Sequence, residues 1–399
     1  METIIFIGSN KTGTSKEALT TAKEMGYCIV LFTNRKNLQF SDVDNIIYTE
    51  DLFNERIIFD EITKLEEQGK HIRACLSFID PFVSYAANLS KKLGLVHLSI
   101  DSLSLMENKI MFREKLKNLP SSPSYSIVDP YTPLNEINYM NFPLIVKSPI
   151  SNGSKDVIFV DCIENLKEGI QILQKKDCSS PILVEEYLHG TQYLIEIIVY
   201  NSEISIAAII KQEVANGGKI IVVGYQYPSG LKKEIEEKLV KTIEKIIEEL
   251  GFTNGACHLE MKYMQDNWKL VEINPRMSGG YINSMIELGT GIHLIKEIIK
   301  MNLGEHPSLV HTKKDNVYSR YVTIKSRGTL LKVVGKEKAL KHIGVKHVYI
   351  KPNEGDVLTE PYSMGNRYAC VIAVGESMEA AKKNAINASK EIQFYLDPF

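Results

Sequence analysis

Apolar positions along the chain recur with two periods, and each switch between them marks a new element. TIIFIG at 3–8 and CIVLFT at 28–33 are almost continuously apolar. Between them, Lys16 to Met25 follows a helical pattern. Strand, helix, strand is a βαβ opening, which builds a parallel sheet. The alternation continues with a strand at 45–49, a helix at about 54–68, a strand at 74–80, a helix through Leu93 and a strand at 96–100. An open α/β domain over residues 1–103 is predicted. Such sheets bind ligands at strand C-termini, so Asp80 and Phe82 are candidates there, against the plainer alternative of a simple turn.

Ser104 to Leu119 reads as a helical stretch carrying Lys109, Arg113 and Lys115. The Pro- and Ser-rich segment 120–133 predicts a boundary or hinge. Residues 142–160 read as strand, loop, strand, and 163–175 as a helix. PILVEEYLHGTQYLIEIIVY (181–200) is a strand that turns at Gly190 into another, and β pattern continues over 203–224. Lys232 to Leu250 is a charged helix with an apolar stripe at Ile235, Leu239, Ile243, Ile246, Ile247 and Leu250, ended by Gly251. A helix from about Ile282 to Met301 is interrupted near Gly289 and Gly291. The pattern over the last ~90 residues predicts strands at 317–325, 330–334, 346–350 and 369–374 and a terminal helix from about Glu379 to Tyr395.

The most informative alternation runs from Ala256 to Arg276: ACHLEMKY, MQDN, WKLVEINPR. It predicts a β-hairpin. With Asp266 at the centre of the turn, Glu260 and Glu272 stand opposite each other on one face, followed by Asn274. Opposed carboxylates destabilise a hairpin. At ~5 Å and an effective dielectric of ~20 the repulsion is roughly 3 kcal/mol. A solvated acidic hairpin is the bland explanation. A bound cation is the functional one, and the all-oxygen donor set points to Mg²⁺ or Mn²⁺. Arg276 then leads into Ser278, Gly279 and Gly280, where backbone can approach a phosphate or carboxylate.

Composition narrows the classes. The net charge of −2 gives no electrostatic case for nucleic acid or an anionic membrane. No apolar run approaches a membrane span or a signal segment. Six scattered cysteines without a CxxC pair predict reduced thiols and a cytoplasmic location. GSNKTGTS at 8–15 imitates a phosphate-binding P-loop but has Thr14 where that loop needs lysine, so it reads as a strand-to-helix turn. Lys147 sits inside an apolar strand and must either reach an anion or snorkel to solvent. The Gly/Ser loop after it, with Ser151, Gly153, Ser154 and Lys155, has the donors to fold over phosphates.

The order Lys109, Lys147, Gly/Ser loop, VEEYL, then Glu260/Glu272/Asn274/Arg276 resembles the ATP-grasp superfamily of carboxylate–amine ligases over roughly residues 104–305. The resemblance implies an α/β (α+β ATP-grasp) fold. Its divisions would be a Rossmann-like domain at 1–103, an ATP-grasp domain at 104–310 with a lid subdomain at about 120–186, and a small α+β domain at 311–399. It implies ATP and two Mg²⁺ ions (Mn²⁺ as an alternative). Lys109 and Lys147 would contact phosphates under the lid loop Ser151–Lys155. Glu185 would meet the adenine amino group, with Glu186, Tyr187 and Leu188 beside the ring. Gln192, where the family usually has Glu, would hold the ribose. Glu260, Glu272 and Asn274 would bind metal, with His258 a candidate to orient them. Arg276 would stabilise the transferring phosphoryl group. Ser278, Gly279 and Gly280 would take a substrate carboxylate. Asp156 stands where the family often has Gly in the lid.

RMSGGYINSMIELGTGIHL (276–294) and the C-terminal segment resemble the L-amino acid ligases, which make dipeptides. Glu213, Gln226 and Tyr227 fall where such enzymes bind amino acids. The resemblance thus implies small-molecule carboxylate and amine substrates, an acyl-phosphate route and, as in relatives, a possible homodimer. A non-amino-acid carboxylate, such as a purine-pathway intermediate or bicarbonate, is the alternative within ligases. A nucleotide-binding module without catalysis is the alternative outside them.

Overall fold

The computed structural model describes residues 1–36, 38–133, 141–151, 153–215 and 220–398. Four short parallel strands open the chain: β1 (Glu2–Ile7), β2 (Cys28–Thr33), β3 (Asn45–Tyr48) and β4 (His71–Leu76), in the order β3-β2-β1-β4. Helices α1 (Thr14–Glu24), α2 (Glu55–Glu67) and α3 (Val83–Lys92) cover them. Glycine at position 13 lets α1 start with φ of 80°, and the P-loop look-alike is a strand-to-helix turn. The segment 96–99 is not a strand. Ser99 instead accepts the backbone N–H groups of Thr253 and Asn254 on its hydroxyl, and α4 (Ile100–Glu107) begins after it. Asn108 breaks the helical stretch, capping α5 (Lys109–Leu116) by accepting from Ile110 and Met111.

A small antiparallel layer comes next. It contains β5 (Tyr125–Val128), β6 (Leu144–Lys147), β7 (Val157–Val160), α6 (Ile163–Lys176) and β8 (Ile182–Glu186), ordered β5-β8-β6-β7. It has its own apolar core around Val146, Leu166, Ile170 and Val184, as a semi-independent layer needs. The main sheet holds β9 (Thr191–Tyr200), β10 (Glu203–Val214), β11 (Val222–Tyr227), β12 (Gly255–Met264) and β13 (Asn267–Asn274). Helix α7 (Lys233–Leu250) buries Leu239, Ile243, Ile246, Ile247 and Leu250 beneath it and ends on Gly251 in the left-handed region. Helices α8 (Ile282–Thr290) and α9 (Leu294–Asn302) are separated at Gly291.

The C-terminal part of the chain contains β14 (Asn316–Val322), β15 (Gly328–Val334), α10 (Lys336–Leu340), β16 (Val345–Ile350), β17 (Val357–Leu358), β18 (Ala369–Gly375), α11 (Met378–Ser389) and β19 (Gln393–Pro398). It is not a detached unit. β14 pairs with β11, so the main sheet runs β13-β12-β9-β10-β11-β14-β18-β16 across eight strands. The terminal helix also ends earlier than its composition predicts. After Ser389 the alternation of Ile392, Phe394 and Leu396 makes β19, which pairs with β15.

Candidate active site

The hairpin expected to carry metal ligands forms, but by a different route from simple symmetry. Met264 pairs with Asn267, so the turn has only two residues, Gln265 and Asp266, with φ of 47° and 61°. That is the geometry of a primed hairpin turn. Continued regularly, it would place Val271 opposite Glu260 and send Glu272 to the core face with Leu259. A bulge at Val271 corrects this. Leu270 faces Met261, Val271 is the extra residue, and Glu272 returns to face Glu260. The bulge also frees acceptors. Arg113 donates to the carbonyls of Leu270 and Val271, each at 3.1 Å, and Lys147 donates to Val271 at 3.3 Å.

Around this bulge lies one end of the cleft. Arg113, fully buried, donates through Nε to Glu185 at 2.7 Å, and Lys147 pairs with the other Glu185 oxygen. Burial would raise the Glu185 carboxyl, but the two cations outweigh it and hold it below its ordinary value. The carboxylate expected to meet adenine is therefore already flanked by two cations. Lys109 bridges two segments, donating to the Ser151 carbonyl at 2.6 Å and pairing with Glu272 at 3.0 Å. Lys262 donates to the Leu188 carbonyl at 2.7 Å and lies over the Tyr187 ring. Glu186 accepts from the Ser124 N–H. In the lid loop, Gly153 and Ser154 have φ of 64° and 57°, and Lys155 is exposed. Asn152 lies outside the described residues.

Glu260 and Glu272 have unequal environments. Burial, then the Glu272 charge, raises Glu260. Burial acts on Glu272 too, but Lys109 and Lys147 prevail and lower it. Gln192 donates to Glu260 at 2.8 Å and Gln212 donates to it at 3.4 Å. Asn274 donates through Nδ2 to His258 Nε2 at 3.2 Å, which turns its amide oxygen away from the ring. The other imidazole nitrogen, Nδ1, then donates to the Arg276 carbonyl at 2.8 Å. Burial, then Arg276, lowers His258 to about 4, so it is neutral. Two carboxylates and one amide oxygen suit Mg²⁺, which takes few protein ligands and completes its shell with phosphates and water. Among the described residues no cluster of three or more His, Cys, Asp or Glu is placed to hold a metal, so a site built on this face needs those outside ligands.

The other end of the cleft draws on distant segments. Arg276 donates through Nε to Asp80 at 2.9 Å, which ties the hairpin to the first domain. Ser278 donates its backbone N–H to Glu196 at 3.0 Å, and its hydroxyl donates to the same oxygen. Glu196 is fully buried, its second oxygen has no partner, and burial pushes it up to about 7. Thr14 donates to the Ser278 carbonyl at 2.9 Å. Gly13 packs on Gly280, where a Cβ would come within 3.2 Å of the Gly280 carbonyl.

Contacts join Lys109 to Glu272, Lys147 to Glu185, Gln192 to Glu260, Glu260 to Glu272 across the hairpin, and Asn274 through His258 to Arg276, with Ser278–Gly280 following in the chain. Glu213 and Tyr227 do not join this set. The strand alternates, and Gln212 is the residue that faces Glu260. Glu213 points to the opposite face, where it pairs with Lys382 of α11 and accepts from Tyr318. Tyr227 packs against Gly289, and Gln226 donates to Pro228. Residues 216–219 of that segment lie outside the described residues. Sequence reasoning missed Gln212, Glu196, Arg113 and Lys262. Two of these had signals: Arg113 is one helical turn from Lys109, and Glu196 interrupts the apolar run YLIEIIVY.

Residues 140–285 match the ATP-grasp domain family, and residues 320–397 match L-amino acid ligase C-terminal domain 2. The chain superposes over its full length on the crystal structure of L-amino acid ligase from Bacillus licheniformis, covering 99% of it with a TM-score of 0.85 at 18% identity. It is 26% identical over 266 residues to the uncharacterized protein y4rH of Sinorhizobium fredii, covering 65% of this chain and 54% of that one. It is 23% identical over 269 residues to human carnosine synthase 1, covering 61% of this chain and 32% of the relative. The chain therefore spans about half or less of the length of these curated relatives. Among the described residues no helix is long and apolar enough to cross a membrane. Residues 140–285 thus carry an ATP-grasp domain and residues 320–397 an L-amino acid ligase C-terminal domain 2, in a chain whose overall fold is that of an L-amino acid ligase structure.

Proposed function

We propose that the protein is an ATP-dependent ligase that joins the carboxylate of one amino acid to the amine of another, releasing ADP and phosphate. The observation that carries this reading is the opposed pair Glu260 and Glu272, set between cations on one side and the Arg276–Gly280 turn on the other. The likeness to an L-amino acid ligase and to carnosine synthase supports amino acids as substrates.

A carboxylate is a poor acyl donor because it must expel oxide. Transfer of the γ-phosphoryl group of ATP to it gives an acyl-phosphate, and attack by an amine then forms the amide and releases phosphate. Two anions must converge for the first step, so the site has to neutralise charge. Lys109 and Lys147 stand on the phosphate side. Glu260, Glu272 and Asn274 would hold Mg²⁺, which when bound screens the phosphate charges. Arg276, fixed by Asp80, stands where negative charge builds on the transferring group. The Gly/Ser loop, tied to Lys109 through the Ser151 carbonyl, would close over the phosphates and keep water from the acyl-phosphate.

The test is phosphate release from ATP across all pairs of amino acids, with mass spectrometry of the products. A dipeptide from at least one pair is expected. Release that depends only on a carboxylate of another class would overturn the amino-acid assignment.

A further inference from the structure

The cleft contains a third arginine that nothing above uses. Arg367 follows the short turn Met364–Asn366, which joins β17 to β18. That turn is stiff. The Ser363 hydroxyl accepts from the Gly365 N–H at 3.2 Å, and Asn366 accepts from the Ser363 N–H and donates to the Tyr368 hydroxyl, both at 3.1 Å. The Arg367 guanidinium lies 3.9 Å from the centre of the Tyr321 ring. Its Nε donates to the Met364 carbonyl, and its Nη1 donates to the Val222 carbonyl and the Tyr225 hydroxyl, each at 3.2 Å.

The contrast with the other arginines of the cleft is in charge. Arg113 holds Glu185 and Arg276 holds Asp80. Among the described residues no carboxylate pairs with Arg367. A guanidinium fixed in a cleft and facing only carbonyls, a hydroxyl and an aromatic ring keeps its full charge for an anion. Its position says where that anion would lie. Nη2 is 3.8 Å from the point where a Gly280 Cβ would stand, and a Cβ on the neighbouring Gly279 would meet nothing within 4 Å. The space is open on the Gly279 side of the turn, while Tyr321 closes the Gly280 side, where the cation also stands. Tyr225, which Arg367 contacts, pairs across the sheet with Gln212, the donor to Glu260. The arginine is thus on the same wall as the metal face.

We propose that Arg367 binds the carboxylate of an amino-acid substrate beside the Gly279–Gly280 turn, so that the C-terminal module sets substrate class. This rests on the amino-acid ligase reading. The Met364–Asn366 turn that precedes Arg367 also touches the Gly/Ser loop, since the Met364 N–H donates to the Gly153 carbonyl at 3.0 Å.

The experiment compares wild type, Arg367→Gln and Arg367→Lys, with melting temperatures showing that each variant is folded. Amide formation is measured with the free amino acid and with its carboxamide as amine donor. Hydroxylamine trapping of the acyl-phosphate, with no amine donor present, is measured in parallel. If the carboxylate belongs to the amine donor, Arg367→Gln loses roughly ten- to hundredfold in kcat/KM for the free acid and little for the carboxamide. Arg367→Lys then recovers part of the loss, and trapping is unchanged. If it belongs to the acyl donor, trapping falls by a similar factor through KM. Equal loss with acid and carboxamide at unchanged trapping, or no loss at all, overturns the assignment. Absence of amide product from the wild type with every amino-acid pair instead defeats the ligase reading and the assignment built on it.

Discussion

The two ends of the cleft are built on opposite plans. At the proposed nucleotide end, Lys109 and Arg113 from α5, Lys147 from β6, Glu185 from β8 and Glu272 from β13 pair with one another as a compensated set of charges. At the substrate end, each charged group comes from a different segment: Asp80 from the first domain, Glu196 from β9, Arg276 after β13 and Arg367 from the C-terminal module. Charge there is uneven. Glu196 has an oxygen without a partner and Arg367 has no carboxylate among the described residues. Phosphate chemistry is the same for every member of such a superfamily, so its cations and carboxylates can be fixed in one rigid set. Substrates differ, and a wall assembled from three modules lets each module change the occupant. Three substitutions test this contrast.

The largest effect belongs to Glu272→Gln at the nucleotide end. It removes the carboxylate opposite Glu260 and the partner of Lys109, while Lys109 keeps the Ser151 carbonyl. ADP release is expected to fall roughly a thousandfold or more, since charge at the transferring phosphate is the main term in such a step. The melting temperature should hold or rise, because repulsion between the two glutamates is relieved. Near wild-type turnover would remove Glu272 from the reaction. A large loss of stability would mean that the pair is structural.

The nucleotide end was also the legible end. Its residues lie on periodic elements whose alternation can be counted, so Glu260, Glu272 and Asn274 fall on one face by arithmetic. Even there the count succeeded through compensating features. The turn is one residue tighter than symmetry about Asp266 requires, and the bulge at Val271 restores the pairing. Sequence patterns do not announce a bulge. At the other end the candidates came from resemblance, and they miss: Gln212, the neighbour of Glu213, is the residue that reaches Glu260, and Tyr227, two residues beyond Tyr225 on the same face of β11, packs against Gly289. The reason is physical: residues on both faces of β10 are polar, so alternation does not say which face is which. Arg367 had no signal at all, because its place depends on β14 joining the main sheet across the boundary at 310 that the resemblance implies.

Glu196 gives a mid-sized effect with a pH signature. Its ordinary value is 4.5, and burial raises it to about 7 in the fold. Between those values the folded form keeps a proton that the unfolded chain has lost. The stability contributed by the protonated side chain is therefore fully present below about 4.5 and lost as pH rises through about 7. The loss is roughly 3 kcal/mol at most, from the size of the shift. Glu196→Gln keeps the shape and cannot ionise. Denaturant unfolding at pH 5 and pH 8 should show wild type falling relative to the variant across that interval. A constant gap would mean that Glu196 is ionised in the fold throughout.

The smallest effect, and the one that separates the two ends most cleanly, is Gly280→Ala. Gly280 has φ of 82°, and an added Cβ would stand 2.7 Å from the Tyr321 hydroxyl. A left-handed backbone costs a residue with a Cβ about 1–2 kcal/mol. Tyr321 cannot retreat freely. Its hydroxyl accepts from the Tyr281 N–H, and Arg367 is stacked on its ring. The variant should lose about that much stability, and the shift of Tyr321 should carry Arg367 with it. Affinity for an ATP analogue, measured by calorimetry, should be unchanged, because Lys109, Lys147 and Glu185 have no contact with the turn. KM for the amino acid should rise severalfold. If nucleotide affinity falls in step with substrate KM, the two ends are mechanically one unit, and the division between a fixed phosphate end and an exchangeable substrate end is lost.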